Sequence, residues 1–277
     1  HSTSNSIKVS KNMRLKIRHQ TEYRYETPVR YSIQELHLTP PSTTGQKVGK
    51  WKIATPIKAT NSIDSFGNLC SIFVQESPYT SMMIEAEGDV QTQDAFEFSD
   101  DENAVSPYYL LQQTNLTEPT TEMLEYFSSK LPTKNTIDQV LKLAEAVRES
   151  ITYSPGQTNF ATTAAQSFAM KSGVCQDHAH IMLALCRASN IPARYVSGYF
   201  FAEESPNLAS HAWIDYCSDI DTGIWTSVDI THACLTDSRH IRLAIGRDYY
   251  SVAPVKGVRS GGSGEELSAN ISIAQLS

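Results

Sequence analysis

One cysteine of this chain has the surroundings of an activated thiol. Cys175 stands directly before a run whose apolar residues recur at helical spacing, with Ala179, Met182, Leu183 and Cys186 on one face, so it is predicted to open a helix. The unpaired backbone N–H groups and the dipole at a helix start favour an anion. The position therefore predicts a nucleophilic thiolate, which requires a neighbouring base.

A histidine and an aspartate downstream can provide that base. Segments 210–216 and 224–229 alternate apolar and polar residues as half-buried strands do, and the Asp and Gly residues between them are typical of a turn. We therefore predict a β-hairpin. If the two segments pair in register from the turn outward, His211 lies directly opposite Asp229, with Cβ atoms about 4.5–5.5 Å apart. At that distance the carboxylate can hold the imidazole.

Together these three side chains predict acyl chemistry at a carboxamide. Cys175 attacks the carbonyl carbon, and His211 takes the thiol proton and later delivers it to the departing amine. Asp229 holds the tautomer of His211 and supports its cationic form. The other cysteines lack such partners and are predicted to pack as apolar residues; they are Cys70, Cys186, Cys217 and Cys234.

A metal site is the competing interpretation of Cys175-x-x-His178-x-His180. Cys175 and His178 share a helical face, but His178 and His180 project about 200° apart at 3.6 residues per turn. The three side chains therefore cannot converge on one ion, and the sequence nearby supplies no further ligands for catalytic zinc. We expect no metal and no cofactor, with His178 exposed and His180 packed.

Several ordered stretches are similar to one family. They lie at 13–25, 173–180 (Gly-Val-Cys-Gln-Asp-His-Ala-His), 191–199, 211–213 (His-Ala-Trp), 225–229 and 240–249. Together they resemble the transglutaminase-like superfamily, in particular its bacterial branch, whose members are described as cysteine proteases. The resemblance covers nearly the whole chain after residue 12. It implies that Cys175, His211 and Asp229 are the catalytic residues, since that order is the order of the family.

The resemblance also bears on two neighbouring positions. Its members commonly follow the aspartate with Pro-Thr, whereas this chain has Ile-Thr-His at 230–232, which implies a different loop geometry. They also tend to carry an aromatic residue before a Pro-Gly loop. Among Tyr153, Gln157 and Gln166 we therefore favour Tyr153 as a side-chain oxyanion donor beside the backbone N–H of Cys175, with a packed ring as the alternative.

The fold class expected is α+β. The resemblance implies a papain-like transglutaminase core of helices packed on an antiparallel sheet, at residues 120–277. Residues 13–98 alternate as strands and carry repeated prolines, so we predict an antiparallel, β-sandwich-like domain there. Residues 99–119 form a polar connector, and residues 1–12 a polar extension. A last strand near 270–273 is expected to join a sheet.

Local signals place the ends of the predicted helices. Thr136 with Gln139, and Thr163 with Gln166, have the spacing of capping boxes. Gly173 is predicted to end the second of these helices in the left-handed conformation that glycine favours.

Composition excludes several classes of protein. With 277 residues, 40% hydrophobic and 19% charged, the chain can bury a sizeable core. A net charge of −7 argues against nucleic acid or an anionic membrane as a partner. Five scattered cysteines do not form a disulfide scaffold, and without an export signal we expect a cytoplasmic protein.

The function predicted is hydrolysis of a peptide or amide bond through a thioester. Transfer of the acyl group from a glutamine carboxamide to an amine is the alternative, because both reactions share the acyl-enzyme. A catalytically inert scaffold is the third possibility. Residues 202–210 lead into His211, and this loop is expected either to help choose the substrate or to be a solvated turn.

Overall fold

The computed structural model describes residues 12–100, 104–204 and 210–276. The predicted extension at 1–12 and the loop before His211 therefore lie largely outside the described residues. In chain order the strands are β1 (Asn12–Leu36), β2 (Gln46–Ala54), β3 (Thr60–Ile63), β4 (Leu69–Gln75), β5 (Tyr79–Gln93), β6 (Glu97–Ser99), β7 (Thr152–Tyr153), β8 (Ser172–Gly173), β9 (Ala193–Phe200), β10 (Ser210–Asp219), β11 (Ile224–Asp229), β12 (Cys234–Leu235), β13 (His240–Gly246), β14 (Val255–Gly261) and β15 (Glu266–Gln275). The helices are α1 (Thr121–Tyr126), α2 (Ile137–Ser150), α3 (Ala164–Met170), α4 (Cys175–Ala188) and α5 (Tyr249–Val252), with a 3₁₀ helix at Pro107–Leu111.

The long strand β1 is the centre of a seven-stranded antiparallel sheet. Its residues alternate between buried and exposed from Asn12 to His19, as expected for a strand with one face on a core. The order along the sheet is β2-β5-β1-β4-β3. Both β14 and β15, from the other end of the chain, also pair with β1, so this sheet joins the two halves of the sequence.

A second, six-stranded antiparallel sheet carries most of the helices. Its order is β12-β11-β10-β9-β13, with β6 on the outer side of β11. Helix α4 packs on this sheet and is buried from Asp177 to Arg187, with α2 and α3 beside it. Every residue of β9 is buried as well. Helices packed on an antiparallel sheet, next to an N-terminal sheet, confirm the predicted α+β class.

The predicted register of the hairpin is wrong by two residues. Tyr216 pairs with Thr226 and Cys217 with Trp225, so His211 is not directly opposite Asp229. The register shifts between Cys217 and Asp219, and Asp219 pairs with Ile224, so the connection at 220–223 is shorter than predicted. Because the shift is an even number, every side chain stays on its predicted face.

The predicted helix ends were partly right. Thr163 and Gln166 form the complete capping box of α3, as predicted. Thr136 makes no side-chain cap, because the Gln139 carbonyl instead accepts hydrogen bonds from the backbone before the helix. Lys171, with φ of 51°, takes the left-handed position that we expected at Gly173.

A buried ionic network holds the second sheet together. Asp215 on β10 accepts hydrogen bonds from Arg194 at 2.9 Å and from Arg242 at 2.6 and 2.8 Å. Ser227 donates to the same carboxylate at 2.6 Å. Arg194 also binds Asp100 through two nitrogens. The strands that carry the predicted site are thus cross-linked, farther along the same face, by charged hydrogen bonds.

Among the described residues, no helix is both long and apolar enough to cross a membrane.

Candidate active site

The start of α4 is fixed by an aspartate one turn along. The Asp177 carboxylate accepts hydrogen bonds from the Val174 backbone N–H at 2.8 Å and from the Thr158 hydroxyl at 2.7 Å. Burial raises the pKa of Asp177. A Cβ on Gly173 would lie 2.6 Å from the Cβ of Asp177, so only glycine permits this close approach. Cys175 is thereby held as the first residue of the helix, partly exposed.

The structure brings His211 and Asp229 into direct contact. His211 Nε2 lies 2.8 Å from Asp229 Oδ2, and both side chains are buried. The two residues are diagonal neighbours on the hairpin, which are about 7–8 Å apart, farther than residues directly opposite. The longer span explains why the distal ring nitrogen makes the contact. Since a carboxylate only accepts, Nε2 carries the proton, which leaves Nδ1 for the thiol of Cys175.

Charges around His211 favour its cationic form. Burial alone lowers the pKa of His211, but the Asp229 carboxylate, together with hydrogen bonding to Asp229 and Cys175, raises it to about 10. Burial also acts against the ionised form of Asp229, yet the histidines around it hold the pKa of this carboxyl well below its usual range. The pair therefore favours an imidazolium beside a carboxylate, and Cys175 is near enough to contribute to the raised pKa of His211.

Two further histidines contact the same carboxylate oxygen. His232 Nδ1 lies 2.6 Å from Asp229 Oδ2, and His240 Nε2 lies 2.9 Å from it. The His232 backbone N–H donates to Asp229 Oδ1 at 3.2 Å. The ring of Phe200 stacks on His232, with centroids 4.5 Å apart, and packs edge-on against His240. Asp229 is consequently fixed from several directions.

Sequence reasoning did not assign a role to either of these histidines. His232 lies in the loop noted for its departure from Pro-Thr, and His240 opens the stretch 240–249 that carries part of the resemblance. Both histidines therefore lie in segments that the sequence had already singled out. What was missing is the tertiary arrangement, because β13 reaches Asp229 only through its pairing with β9.

Tyr153 stands beside the start of α4. It pairs with Gly173 in the short parallel ladder of β7 and β8, and its side chain is 49% exposed. Burial, followed by the nearby charges of Cys175 and Asp229, raises the pKa of Tyr153 to about 12. The hydroxyl therefore stays protonated at neutral pH and is able to donate a hydrogen bond. Gln166 is occupied in the cap of α3.

The histidines of α4 do not converge on Cys175. His178 is buried rather than exposed, because its ring nitrogens contact the Thr231 hydroxyl at 3.0 Å and the Ile151 carbonyl at 3.4 Å. His180 is fully buried, as predicted, and accepts from the Tyr249 backbone N–H at 3.1 Å. In the described part of the chain, the side chains near Cys175 with metal-binding geometry are His211, Asp229 and His232.

A cavity of about 520 Å³ lies behind this site, between the two sheets. His240 and Trp213 line its inner wall, while Gln46 and Asn68 line the wall formed by the first sheet. Cys175 does not border this cavity. Cys175 instead lies near Tyr153, whose pKa it helps to raise.

The fold and these residues define a class of protein. Residues 125–230 match the transglutaminase-like superfamily, and residues 15–91 match the bacterial transglutaminase-like N-terminal region. The chain belongs to the transglutaminase-like superfamily, in the branch with this N-terminal region.

Individual relatives span the whole chain. An uncharacterized protein of Mycobacterium leprae is 30% identical, over 95% of this chain and 99% of its own length. An uncharacterized protein of Mycobacterium tuberculosis is 28% identical, over 92% of this chain and 90% of its own. The crystal structure of a "putative cysteine protease" from Cytophaga hutchinsonii superposes with a TM-score of 0.77, at 20% identity, over 97% of this chain and 93% of that one. This last likeness shows the fold.

Proposed function

We propose that this protein is a cysteine-dependent hydrolase that cleaves a peptide or amide bond through a thioester. Cys175 is the nucleophile, His211 the general base and acid, and Asp229 the residue that orients His211. The observation that carries the proposal is the 2.8 Å contact between His211 and Asp229, with Cys175 among the groups that raise the pKa of the same ring.

The first half of the reaction forms the acyl-enzyme. The Cys175 thiol gives its proton to His211 Nδ1, and the sulfur attacks the carbonyl carbon of the substrate. The tetrahedral intermediate collapses as His211 passes that proton to the departing nitrogen, so the C–N bond breaks and a C–S bond remains. In the second half His211 takes a proton from water, the hydroxide attacks the thioester, and the thiol is restored with release of the carboxylic acid.

Two hydrogen-bond donors stabilise the developing oxyanion in this mechanism. The backbone N–H of Cys175 belongs to the first turn of α4, where such groups have no partner within the helix. The Tyr153 hydroxyl, protonated because its pKa is raised to about 12, is the second donor. Loss of one such donor typically slows the reaction by about 10²–10³-fold.

Selective alkylation tests the nucleophile directly. Iodoacetamide at pH 6 is expected to modify Cys175 first, as read by mass spectrometry of the intact chain and its peptides. Cys234 is the matched control, because it is also partly exposed and lies beside Asp229 in β12, yet burial raises its pKa to about 11. Equal labelling of Cys175 and Cys234 would contradict the proposal.

The reaction itself is tested with peptides bearing an electrophile in place of the scissile amide. One covalent adduct per chain is expected, lost in Cys175→Ala and in His211→Gln but retained in Cys234→Ala. Supplying a glutamine peptide with a primary amine separates the two acyl acceptors. Both reactions release ammonia as the thioester forms, so a free acid without a new amide indicates hydrolysis, and a new amide indicates transfer. Absence of any adduct or turnover at Cys175 would favour a scaffold.

A further inference from the structure

A second group of metal-binding side chains lies at the far end of β1. Glu35, His37 and Cys70 each present one ligand atom, and these three atoms all lie within 4.8 Å of one another. The arrangement follows from the register of the first sheet, in which Leu36 pairs with Ser71. Continuing this antiparallel pairing places His37 opposite Cys70, and Glu35 shares the face of His37.

His37 is the central member of the group and is buried, with its side chain 1% exposed. Its Nδ1 lies 3.2 Å from the Ala253 carbonyl oxygen, which can only accept, so Nδ1 carries the proton. Its Nε2 is buried and has no hydrogen-bond partner in the part of the chain that the structure describes. Ligating histidines in metalloproteins characteristically donate their other ring N–H to a carbonyl in this way.

The buried nitrogen faces negative oxygens at distances that suit a metal. Nε2 lies 3.8 Å from Glu35 Oε1 and 3.6 Å from Asp64 Oδ2, both beyond hydrogen-bond length. These carboxylates would repel a lone pair on Nε2, so the position favours a cation, either a proton on Nε2 or a metal ion between the groups. Around tetrahedral zinc, ligand bonds of about 2.0–2.3 Å separate neighbouring ligand atoms by roughly 3.3–3.6 Å. The two spacings from Nε2 need to contract by only a few tenths of an ångström, and the separations within the group, all below 4.8 Å, by at most about 1.5 Å.

We propose that Glu35, His37 and Cys70 bind Zn²⁺. A thiolate, an imidazole and a carboxylate together are a donor set that zinc accepts. On binding, the Cys70 thiol releases its proton to solvent and the sulfur bonds to the metal, so one proton leaves for each ion bound. Asp64 lies on the same side and adds negative charge.

The surrounding contacts fit this role. The Asp64 carboxylate is oriented by the Asn68 side chain at 2.8 Å and by the Phe66 backbone N–H. Lys256 pairs with the other oxygen of Glu35 at 2.9 Å, which leaves Oε1 directed at His37. Glu35 and Asp64 are both partly exposed, so an ion can enter from solvent.

A proton is the competing occupant of the same position. Burial lowers the pKa of His37, but the neighbouring Asp64 and Cys70 raise it to about 9. Metal must therefore displace this proton if the site is to fill at neutral pH, and the experiment has to distinguish the two cations.

The test uses the full chain carrying Cys175→Ala, so that the active-site thiol cannot contribute. The chain is stripped with a chelator and titrated with Co²⁺, a spectroscopic probe for zinc sites. We expect one Co²⁺ per chain with a near-ultraviolet thiolate-to-cobalt charge-transfer band, which Zn²⁺ abolishes by displacement. The cluster of His211, Asp229 and His232 contains no thiol of its own, and a band from the neighbouring Cys234 would survive Cys70→Ser.

Substitutions assign the ligands. Cys70→Ser is expected to remove the band, and Cys217→Ser, which alters another buried cysteine, to leave it intact. Glu35→Gln, at a partly exposed position, keeps the test valid if a core variant fails to fold, and should weaken Co²⁺ binding at least about tenfold. A band that survives Cys70→Ser, unchanged affinity in Glu35→Gln, or absence of any band in the parent would overturn the proposal in favour of a protonated His37.

Discussion

Replacing Asp229 by asparagine removes the negative charge beside His211 while keeping a side chain of the same shape. In the native protein burial lowers the pKa of His211, and the Asp229 carboxylate is the largest influence that raises it, to about 10. An opposite charge within hydrogen-bonding distance shifts a pKa by about 1–3 units, so in Asp229→Asn we expect a pKa of roughly 7–9 for His211.

The measurement is a pH titration of labelled histidine side chains by NMR. The resonance of His211 is assigned by its disappearance in His211→Gln. His19 supplies an internal control, because burial in the first sheet lowers its pKa to about 4 and its ring contacts the Tyr199 hydroxyl rather than Asp229. The titration of His19 should be the same in the native protein and in Asp229→Asn.

The same change has a chemical consequence at Cys175. At pH 8 the native His211 is almost wholly imidazolium, whereas a pKa of about 7 would leave only about one tenth of it protonated. Alkylation of Cys175 by iodoacetamide should then slow by up to about tenfold. The reasoning is refuted if native His211 titrates near 6.5, or if its midpoint does not move in Asp229→Asn.

Three further outcomes follow from the structure. The pKa of His211 is raised above its ordinary value of 6.5, so the pairing of His211 with Asp229 stabilises the fold fully below pH 6.5. This stabilisation is lost as the pH rises through about 10. Between pH 6.5 and 10 the Tm of the native protein should therefore fall more steeply than the Tm of Asp229→Asn. Asp215→Ala leaves two arginines without their buried carboxylate and should lower the free energy of unfolding by about 3–5 kcal/mol in urea titrations, whereas a loss below about 1 kcal/mol would show that the network does not stabilise the sheet. Gly173→Ala forces the start of α4 apart and should cost about 1–3 kcal/mol of stability with a parallel loss of probe labelling at Cys175; native labelling and stability would show that the close approach to Asp177 is dispensable.

The chemistry-bearing residues were accessible from the sequence because they depend on local patterns. The position of Cys175 at a helix start followed from periodicity, and the shared face of His211 and Asp229 followed from strand alternation. Because the predicted register was wrong by an even number of residues, His211 and Asp229 still lie on the same face. The actual contact, a diagonal one through Nε2, required the length of the turn, which composition alone does not determine.

Features made by distant segments were beyond prediction. His240 reaches Asp229 because β13 lies beside β9, a pairing that no local signal specifies. The left-handed Lys171 shows a related limit: we assigned that conformation to Gly173, whereas the glycine is needed for the close approach of Asp177. Glycine is therefore required at position 173 for close packing and not for a left-handed backbone.

The pairing of β1 with β15 constrains how the molecule can be made and divided. Leu15 meets Gln275 across this ladder, so residues some 260 positions apart must find one another before the sheet closes. Contacts of such long range slow folding. During synthesis this edge of β1 therefore stays unpaired until β15 has left the ribosome. A fragment that begins near residue 120 would carry β14 and β15 without their template, so the two halves are best studied in one uninterrupted polypeptide.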